Sequence, residues 1–194
     1  MNWLALVLMF AAAFWESKPP ADWTEDELIQ MFTSSPWAQP LTGPANAPPV
    51  SAYLATAAPM EQAERERDRR YKRKRPNAPP DVLVEEYRAW LEENRATQIV
   101  LAIPIQDPKA FADSQDTRRM EEEGVMRVGR KKIKMTGHFP PSASDPFLRL
   151  AFPREVTASD KTITFELYLP GVPIPFRTVE FRIKDMLVKG KLEI

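Results

Sequence analysis

Proline interrupts this chain so often that only short elements of regular structure are compatible with it. The 194 residues include 20 prolines and only 6 glycines, and proline breaks long helices and is excluded from the central strands of sheets. We therefore expect short helices and strands joined by linkers. The 27 basic and 27 acidic residues cancel, so no overall charge favours nucleic acid or an acidic partner.

Cysteine does not occur in the sequence. This excludes disulfide bonds, thiol catalysis, thiolate metal sites and the lipidated cysteine of bacterial lipoproteins. Export remains compatible with the composition, because a domain of about 100 residues can be held together by its hydrophobic core alone.

Residues 1–13 are predicted to be a signal peptide that is removed on export. The run from Asn2 to Trp15 is uncharged and almost wholly apolar, but it is shorter than the roughly 20 residues that a membrane-spanning helix needs. Ala11-Ala12-Ala13 matches the small-x-small pattern of a cleavage site. We therefore expect a periplasmic, cell-surface or extracellular protein. A retained anchor, which would allow membrane contact, and a buried N-terminal helix are the alternatives.

Residues 14–38 are predicted to be a tryptophan-rich region around one short helix. Thr24 is typical of an N-cap, and Glu27 has the spacing that completes a capping box. Trp23 and Leu28 have the spacing of a hydrophobic staple. The sequence Ser-Ser-Pro at residues 34–36 predicts the end of this helix.

Two helices are expected within residues 60–96, after a linker at residues 39–59 that is rich in proline and alanine and shows no period. The first helix is strongly charged, with alternating signs and a basic last turn, as a solvent-exposed helix favours. The second is amphipathic, and it is expected to pack on the following domain. Its apolar stripe is formed by Leu83, Tyr87, Trp90 and Leu91.

From Thr97 onward the hydrophobic period changes to two, which predicts a mainly β domain at residues 97–194. About seven short strands separated by turns are typical of a β-sandwich, with an immunoglobulin-like topology as the first expectation. Residues 113–123 are expected to be a loop or a short helix. Gly129 is expected to be the first central residue of a two-residue hairpin turn, and Gly190 to form a bulge. The whole chain is thus expected to be mainly β with N-terminal helices.

No catalytic, cofactor-binding or metal-binding residues are predicted. The single histidine, His138, lies in a proline-rich turn with Ser142, Ser144 and Asp145, and this proximity in sequence does not define a triad. One histidine without cysteine supplies too few ligands for a zinc site. The carboxylates of residues 107–123 do not fit a calcium loop and predict a solvated polar segment.

Two groups of residues are candidates for binding a partner. Trp15 and Trp37 lie near the predicted mature N-terminus without an obvious local apolar partner, and tryptophan is enriched at binding hot spots. Residues 65–75 contain eight basic side chains, which would suit a polyanionic surface. The alternatives are that the tryptophans belong to the core and that the basic run is a solvated helix face. The basic candidates are Arg69, Arg70, Arg73 and Arg75.

Parts of the sequence resemble exported bacterial proteins that are uncharacterised, some of them grouped with GWxTD-domain proteins. The resemblance rests on WESKP at residues 15–19, DWT at residues 22–24 and SPWA at residues 35–38. It continues in DPFLRLAFPREV at residues 145–156 and DKTITFELYLPG at residues 160–171. In place of the G-W-x-T-D motif this chain has Asp-Trp-Thr-Glu. The resemblance implies export and carries no activity.

These observations together predict an exported, non-catalytic envelope or secreted protein that acts through surface contacts of its β domain. The expected partner is another envelope protein or a surface glycan, without nucleic acid and without a cofactor. The alternative is a hydrolase whose carboxylate or serine chemistry is assembled from distant loops. A pocket that gathers carboxylates with raised pKa values would favour the enzyme, and an apolar patch or open sheet edge would favour the binding protein.

Overall fold

The structure is a computed structural model that describes residues 13–43, 50–106, 111, 114–172 and 174–194. All of the predicted signal peptide except Ala13 lies outside the described residues. Within the described ranges, no helix is both long enough and apolar enough to cross a membrane.

The described part of the chain forms five α-helices and eleven strands. The helices are α1 (Phe14–Ser17), α2 (Glu25–Ser34), α3 (Ala58–Lys74), α4 (Val82–Asn94) and α5 (Ser114–Glu123). The first six strands are β1 (Ala38–Pro40), β2 (Ser51–Leu54), β3 (Gln98–Pro104), β4 (Val125–Val128), β5 (Lys131–Lys134) and β6 (Gly137–Phe139). The others are β7 (Phe147–Pro153), β8 (Thr162–Tyr168), β9 (Phe176–Arg182), β10 (Leu187–Val188) and β11 (Lys191–Leu192).

The strands form antiparallel sheets, so the expectation of a mainly β protein with additional helices is confirmed. One sheet has five strands in the order β1-β2-β3-β7-β6, and a second has four strands in the order β5-β4-β8-β9. The pair β10-β11 forms a separate ribbon. Thr42 joins the outer strands of the two sheets, because its N–H donates to the Thr178 carbonyl oxygen at 2.8 Å.

The hydrophobic core lies between the two sheets and continues on the far side of the five-stranded sheet. The Phe152 ring of β7 contacts the Phe165 ring of β8, with centroids 5.1 Å apart. On the opposite face Tyr53 of β2 donates its hydroxyl hydrogen to Glu64 of α3. Both faces of β3 and β7 are therefore covered, which explains why their interior residues are buried without alternation.

Local capping and turn signals in the sequence are confirmed. The Thr24 hydroxyl oxygen accepts a hydrogen bond from the Glu27 N–H at 3.1 Å, and Glu27 returns the bond to the Thr24 N–H at 2.9 Å. The amphipathic helix is α4, and Asp81 caps it by accepting from the Leu83 N–H. Gly129 opens the turn between β4 and β5 with a φ of +58°, a conformation that glycine adopts without strain.

Residues 39–59, which were expected to be a linker, instead supply most of two strands. β2 pairs with β1 on one side and with β3 on the other, and Ala52 and Leu54 are fully buried. The strand is only four residues long and is partly alanine, so it shows too little alternation to be recognised by its period.

Two further segments differ in detail from the expectations. Residues 114–123 form the helix α5, which was one of the two alternatives for that region. Gly190 is not a bulge. It follows Lys189 in a two-residue turn between β10 and β11, with φ values of +49° for Lys189 and +80° for Gly190, and paired positive φ values are typical of a tight hairpin.

Candidate binding groove

A groove lies beside β6, which is an edge strand of the five-stranded sheet. Its cavity has a volume of about 180 Å³. We call it the β6 groove. The side chains that line it are mainly Trp90, Asn94, Gln98, Thr136, His138 and Phe139.

Three elements bring these side chains together. Trp90 and Asn94 are one turn apart on α4 and therefore lie on one face of that helix. Gln98 begins β3 after a short turn. The chain then leaves β5 in the four-stranded sheet and enters β6 in the five-stranded sheet, which places Thr136 and His138 opposite α4.

Aromatic rings form the apolar part of the groove. The Trp90 and Phe139 ring centroids are 5.0 Å apart with planes tilted by 56°. Phe139 also contacts the ring of Tyr87 in an edge-on arrangement at 5.1 Å. These contacts hold the Trp90 ring in place, because aromatic pairs in such geometries add stability beyond their buried area.

The polar part of the groove consists of neutral hydrogen-bonding groups. The Asn94 side-chain N–H donates to the Trp90 carbonyl oxygen at 2.8 Å, and the Thr136 hydroxyl donates to the Gln98 side-chain oxygen at 2.9 Å. The Asn94 side-chain oxygen and the Gln98 side-chain nitrogen have no protein partner among the described residues. The Asn94 oxygen can therefore accept a hydrogen bond from a ligand, and the Gln98 nitrogen can donate two N–H bonds to it.

His138 is held at one end of the groove. Its Nδ1 lies 2.9 Å from a carboxylate oxygen of Glu121 on α5, and its side chain is 18% exposed. The carboxylate fixes the orientation of the imidazole and leaves the second ring nitrogen for another partner. The sequence interpretation of His138 as a turn residue at a strand end differs from the structure, in which His138 is the middle residue of β6 and pairs with Leu150 of β7.

Charged groups collect elsewhere, in an interior cluster between α3 and β7 that we call the buried ion network. Arg149 of β7 is 5% exposed in its side chain and contacts Asp145 at 2.5 Å and Glu64 at 3.3 Å. Tyr53 donates its hydroxyl hydrogen to Glu64 at 2.7 Å. Arg67 of α3 lies 3.5 Å from Asp145. The two carboxylates are thus neutralised by two guanidinium groups.

The arginines keep Glu64 ionised in this interior position. Burial raises the pKa of Glu64, but the charges of Arg149 and Arg67 and the Tyr53 hydrogen bond outweigh burial, so the pKa lies below its ordinary value. Asp68, one turn further along α3, behaves differently: burial raises its pKa above the ordinary value despite the nearby Arg67 and Arg88.

The space beside this network is too small for a substrate. A cavity of about 10 Å³ lies between Tyr87, Asp145 and Arg149, which is the volume that one water molecule occupies. Tyr87 Oη and Arg149 Nε have no protein partner within the described ranges, and a single water suits these two groups. The network is therefore a structural link between α3, α4 and β7.

The serines close to His138 in sequence are engaged with α4. Ser142 and Ser144 both donate to the second carboxylate oxygen of Asp81, the N-cap residue of α4. Their hydrogen bonds lower the pKa of Asp81 below its ordinary value. Asp145, the third residue considered near His138, accepts from Arg149. The two serines therefore stabilise the start of α4 through Asp81, and none of the three residues is hydrogen-bonded to the His138 imidazole among the described residues.

Tryptophan residues near the N-terminus form one aromatic cluster. Trp37 is only 1% exposed, and its indole N–H donates to the Glu193 carbonyl oxygen at 2.6 Å. For Trp37 the structure agrees with the alternative to docking, in which the side chain belongs to the core. Trp15 is half-buried and its ring lies 5.9 Å from that of Trp37, while Trp23, expected to be buried, is 3% exposed. Of the two candidates for docking, only Trp15 leaves part of its ring accessible.

The four basic candidates on and after α3 do not form one surface. Arg69 and Arg70 both bind Glu66, at 2.7 Å each, and Arg70 also donates to the Trp23 carbonyl oxygen. Arg73 and Arg75 are exposed. Their binding of a partner stays a prediction.

Sequence reasoning did not identify the β6 groove as a site. Trp90 was assigned to the packing stripe of α4, and His138 was assigned to a turn. The amides of Asn94 and Gln98 carry no motif, and they become neighbours only because β3 starts where α4 ends. An isolated histidine between a glycine and an aromatic residue was the one available signal.

Within the described ranges, no group of three or more carboxylate or histidine side chains is arranged to hold a metal ion. Compared with protein-family models, curated proteins and solved structures, the chain matches none of them.

Proposed function

We propose that this chain is an exported, non-catalytic envelope protein that binds a neutral glycan in the β6 groove. The observation that carries this proposal is the lining of the groove, in which aromatic rings stand beside amide, hydroxyl and imidazole groups. A sugar ring has an apolar C–H face and a rim of hydroxyls. The first suits the Trp90 and Phe139 rings, and the second suits the amides of Asn94 and Gln98.

The size of the groove supports a small recognition unit. Pockets for drug-sized ligands have volumes of about 300–1,000 Å³, and the β6 groove has about 180 Å³. One sugar residue at the end or the side of a glycan chain matches this volume. The rest of such a chain would extend over the surface.

Binding of another envelope protein by strand addition has less support. β6 is an open edge, but it has only three residues, and short edge strands are a common means by which sheets avoid pairing with other chains.

The stacked antiparallel sheets supply the rigid support for the groove, and we propose that they are arranged as in immunoglobulin-like domains. Export rests on the apolar residues 1–13 and on the resemblance to exported bacterial proteins.

A titration with a neutral oligosaccharide tests the proposal. We expect a β-1,4-linked N-acetylglucosamine tetramer to shift the amide signals of the groove residues in NMR spectra of the full chain. We expect two substitutions to weaken binding at least tenfold each: Trp90→Leu, which keeps apolar volume but removes the ring, and Gln98→Ala. An aromatic stacking contact or a pair of hydrogen bonds contributes about 1–3 kcal/mol when proteins recognise nucleic-acid bases, and we expect a similar contribution for a sugar.

Ile29→Ala is the matched control, because Ile29 is 57% exposed on α2 and lies outside the groove. It should leave the titration unchanged. Shifts confined to other surfaces, or equal weakening by the control, would exclude the groove as a glycan site.

One observation favours the hydrolase alternative. His138 and Glu121 form an imidazole–carboxylate pair at the groove, as a general base requires. A hydroxyl nucleophile bonded to the imidazole would complete this chemistry, but the single hydroxyl hydrogen of Thr136 is shared by the Gln98 side-chain oxygen and the Ala151 carbonyl oxygen. Glu121→Gln separates the two functions: hydrolysis of the same oligosaccharide that disappears in this variant would establish the enzyme, whereas binding without turnover supports the binding protein.

A further inference from the structure

The four carboxylates of helix α3 are all bound by arginines of the protein. Their side chains are 12% exposed for Glu61, 13% for Glu64, 4% for Glu66 and 31% for Asp68. None of them pairs with a cation of residues 72–75 within the described part of the chain.

Each carboxylate is held by at least one guanidinium group. Glu66 accepts from Arg69 and Arg70, and the hydrogen bond from Arg69 is the main reason why its pKa falls to about 2. Glu61 lies 3.5 Å from both Arg65 and Arg95. All four carboxylates of α3 are thus paired with arginines of the protein itself.

The end of the helix is cationic and exposed. Every residue from Tyr71 to Pro80 is exposed, and this stretch includes four consecutive cations, residues 72–75. We call residues 72–75 the cationic face. Lys72, Arg73 and Lys74 have no ion-pair partner among the described residues.

We propose that the cationic face docks on the anionic phospholipid surface of a bilayer. A row of exposed cations is complementary to an anionic leaflet, and the attraction needs no pocket and no fixed register. The proposal does not depend on the β6 groove, which lies between α4 and β6.

The apolar N-terminus favours a bilayer over other polyanions. Residues 3–12 are uncharged and apolar in sequence, and the described chain begins directly after them at Ala13. The Phe14 ring lies 5.5 Å from the Trp23 ring, and the Trp23 carbonyl oxygen accepts from Arg70 of α3. The described chain therefore begins beside α3, and an apolar segment in addition to a basic patch is the combination that gives stable attachment to membranes.

Sedimentation with vesicles tests the proposal on the full chain. Binding is measured to two kinds of vesicle, phosphatidylcholine alone and phosphatidylcholine mixed with phosphatidylglycerol. The measured quantity is the second binding constant divided by the first, so that attachment by the apolar segment cancels. We expect a ratio well above one at low salt that declines toward one as salt screens the charges. Each cation near an anionic leaflet strengthens binding roughly fivefold.

Replacing the four cations of residues 72–75 by glutamine should reduce this ratio at least tenfold. The matched control replaces four exposed lysines in or next to strands of the four-stranded sheet, Lys132, Lys134, Lys161 and Lys184. It changes the net charge equally and should keep most of the ratio. Circular dichroism melting establishes that both variants are folded, and the double variant Lys72→Gln with Arg73→Gln should give an intermediate ratio.

Three results would overturn the proposal: a ratio near one for the unmodified chain, an equal loss in the control variant, or binding to an acidic polysaccharide such as alginate in the absence of vesicle binding. Binding in the glycan titration is measured on other residues, so either proposal can fail without the other.

Discussion

Arg149 places a positive charge between β7 and α3, where it is shielded from water by the Tyr87 ring 4.3 Å from its guanidinium carbon. Its contacts with Asp145 and Glu64 keep it charged, and although burial lowers the pKa of Arg149, these acidic groups and the two tyrosines raise it well above the ordinary value. A buried pair of this kind contributes little net stability, but loss of one partner leaves the other charge unpaired.

Arg149→Met is therefore expected to reduce the free energy of unfolding by about 3–5 kcal/mol. The matched control is Arg127→Met, which removes the pair between Arg127 and Glu166, both 41% exposed, and should change the stability very little, because solvent screens an exposed pair. Urea unfolding of both variants at neutral pH measures the difference. Similar losses for the two variants would show that the buried ion network is not a structural link.

Glu66 gives a stability contribution that depends on pH. Its pKa falls from 4.5 in the unfolded reference to about 2 in the folded chain, so its stabilising effect is complete above pH 4.5 and is lost as the pH falls toward 2. Glu66→Gln should cost about 1–2 kcal/mol at neutral pH, since half-exposed Arg69 is partly screened by solvent. The difference between the two proteins should vanish near pH 2. A difference that does not change with pH would mean that packing, and not charge, is lost.

The tryptophan cluster separates core residues from a docking candidate. Trp23→Ala and Trp37→Ala are each expected to lower the free energy of unfolding by about 3–5 kcal/mol, because both side chains are buried. Trp15→Ala should cost clearly less, since its ring is half-buried. Denaturant titrations of the three variants measure this order, with Ile29→Ala as a control of small effect. Equal losses of unfolding free energy in all three variants would show that Trp15 is a core residue and not a docking residue.

At the scale of elements, the fold uses segments that look irregular in sequence. β2 lies in the interior of the five-stranded sheet although it comes from the stretch that was expected to be a linker. The end of α3 shows the opposite behaviour, because residues 71–80 are all exposed. Exposed helix ends open locally more readily than buried strands.

Limited proteolysis distinguishes these two segments. Trypsin is expected to cut first after Lys72, Arg73 and Lys74, whereas the bond after Arg75 is protected by the following proline. Chymotrypsin should cut slowly at Tyr53 and Leu54, which are 1% and 0% exposed in β2. Mass spectrometry of the fragments identifies the sites. Early cleavage within β2 would contradict its position in the sheet.

At the scale of the whole molecule, the N-terminal helix α1 lies where the predicted signal peptide ends. Phe14 packs against Trp15 and Trp23, with ring centroids 5.0 Å and 5.5 Å away. A chain that begins at Phe14 therefore keeps its aromatic cluster. Protein recovered after export is expected to begin at or near Phe14, which intact-mass measurement determines. Full-length protein in the membrane fraction would favour the retained anchor.

Elements that depend on near neighbours can be recognised from the amino-acid sequence alone. The capping box of Thr24 and Glu27, the amphipathic period of α4 and the turn at Gly129 all involve contacts within a few residues, so their signals lie in short windows of sequence. The alternating pattern of β8 is of the same kind, because the period of two is set by the geometry of the strand itself.

Contacts between residues that are distant in sequence are set by the tertiary fold and have no signal in a short window of sequence. Arg149 pairs with Glu64 across 85 positions of sequence, and Trp37 donates to a carbonyl 156 positions away. The burial of both faces of β7 and the meeting of α4 with β6 in the groove follow from such contacts. A local pattern specifies which face of an element is apolar but not what covers it, and both proposed binding surfaces depend on that second fact.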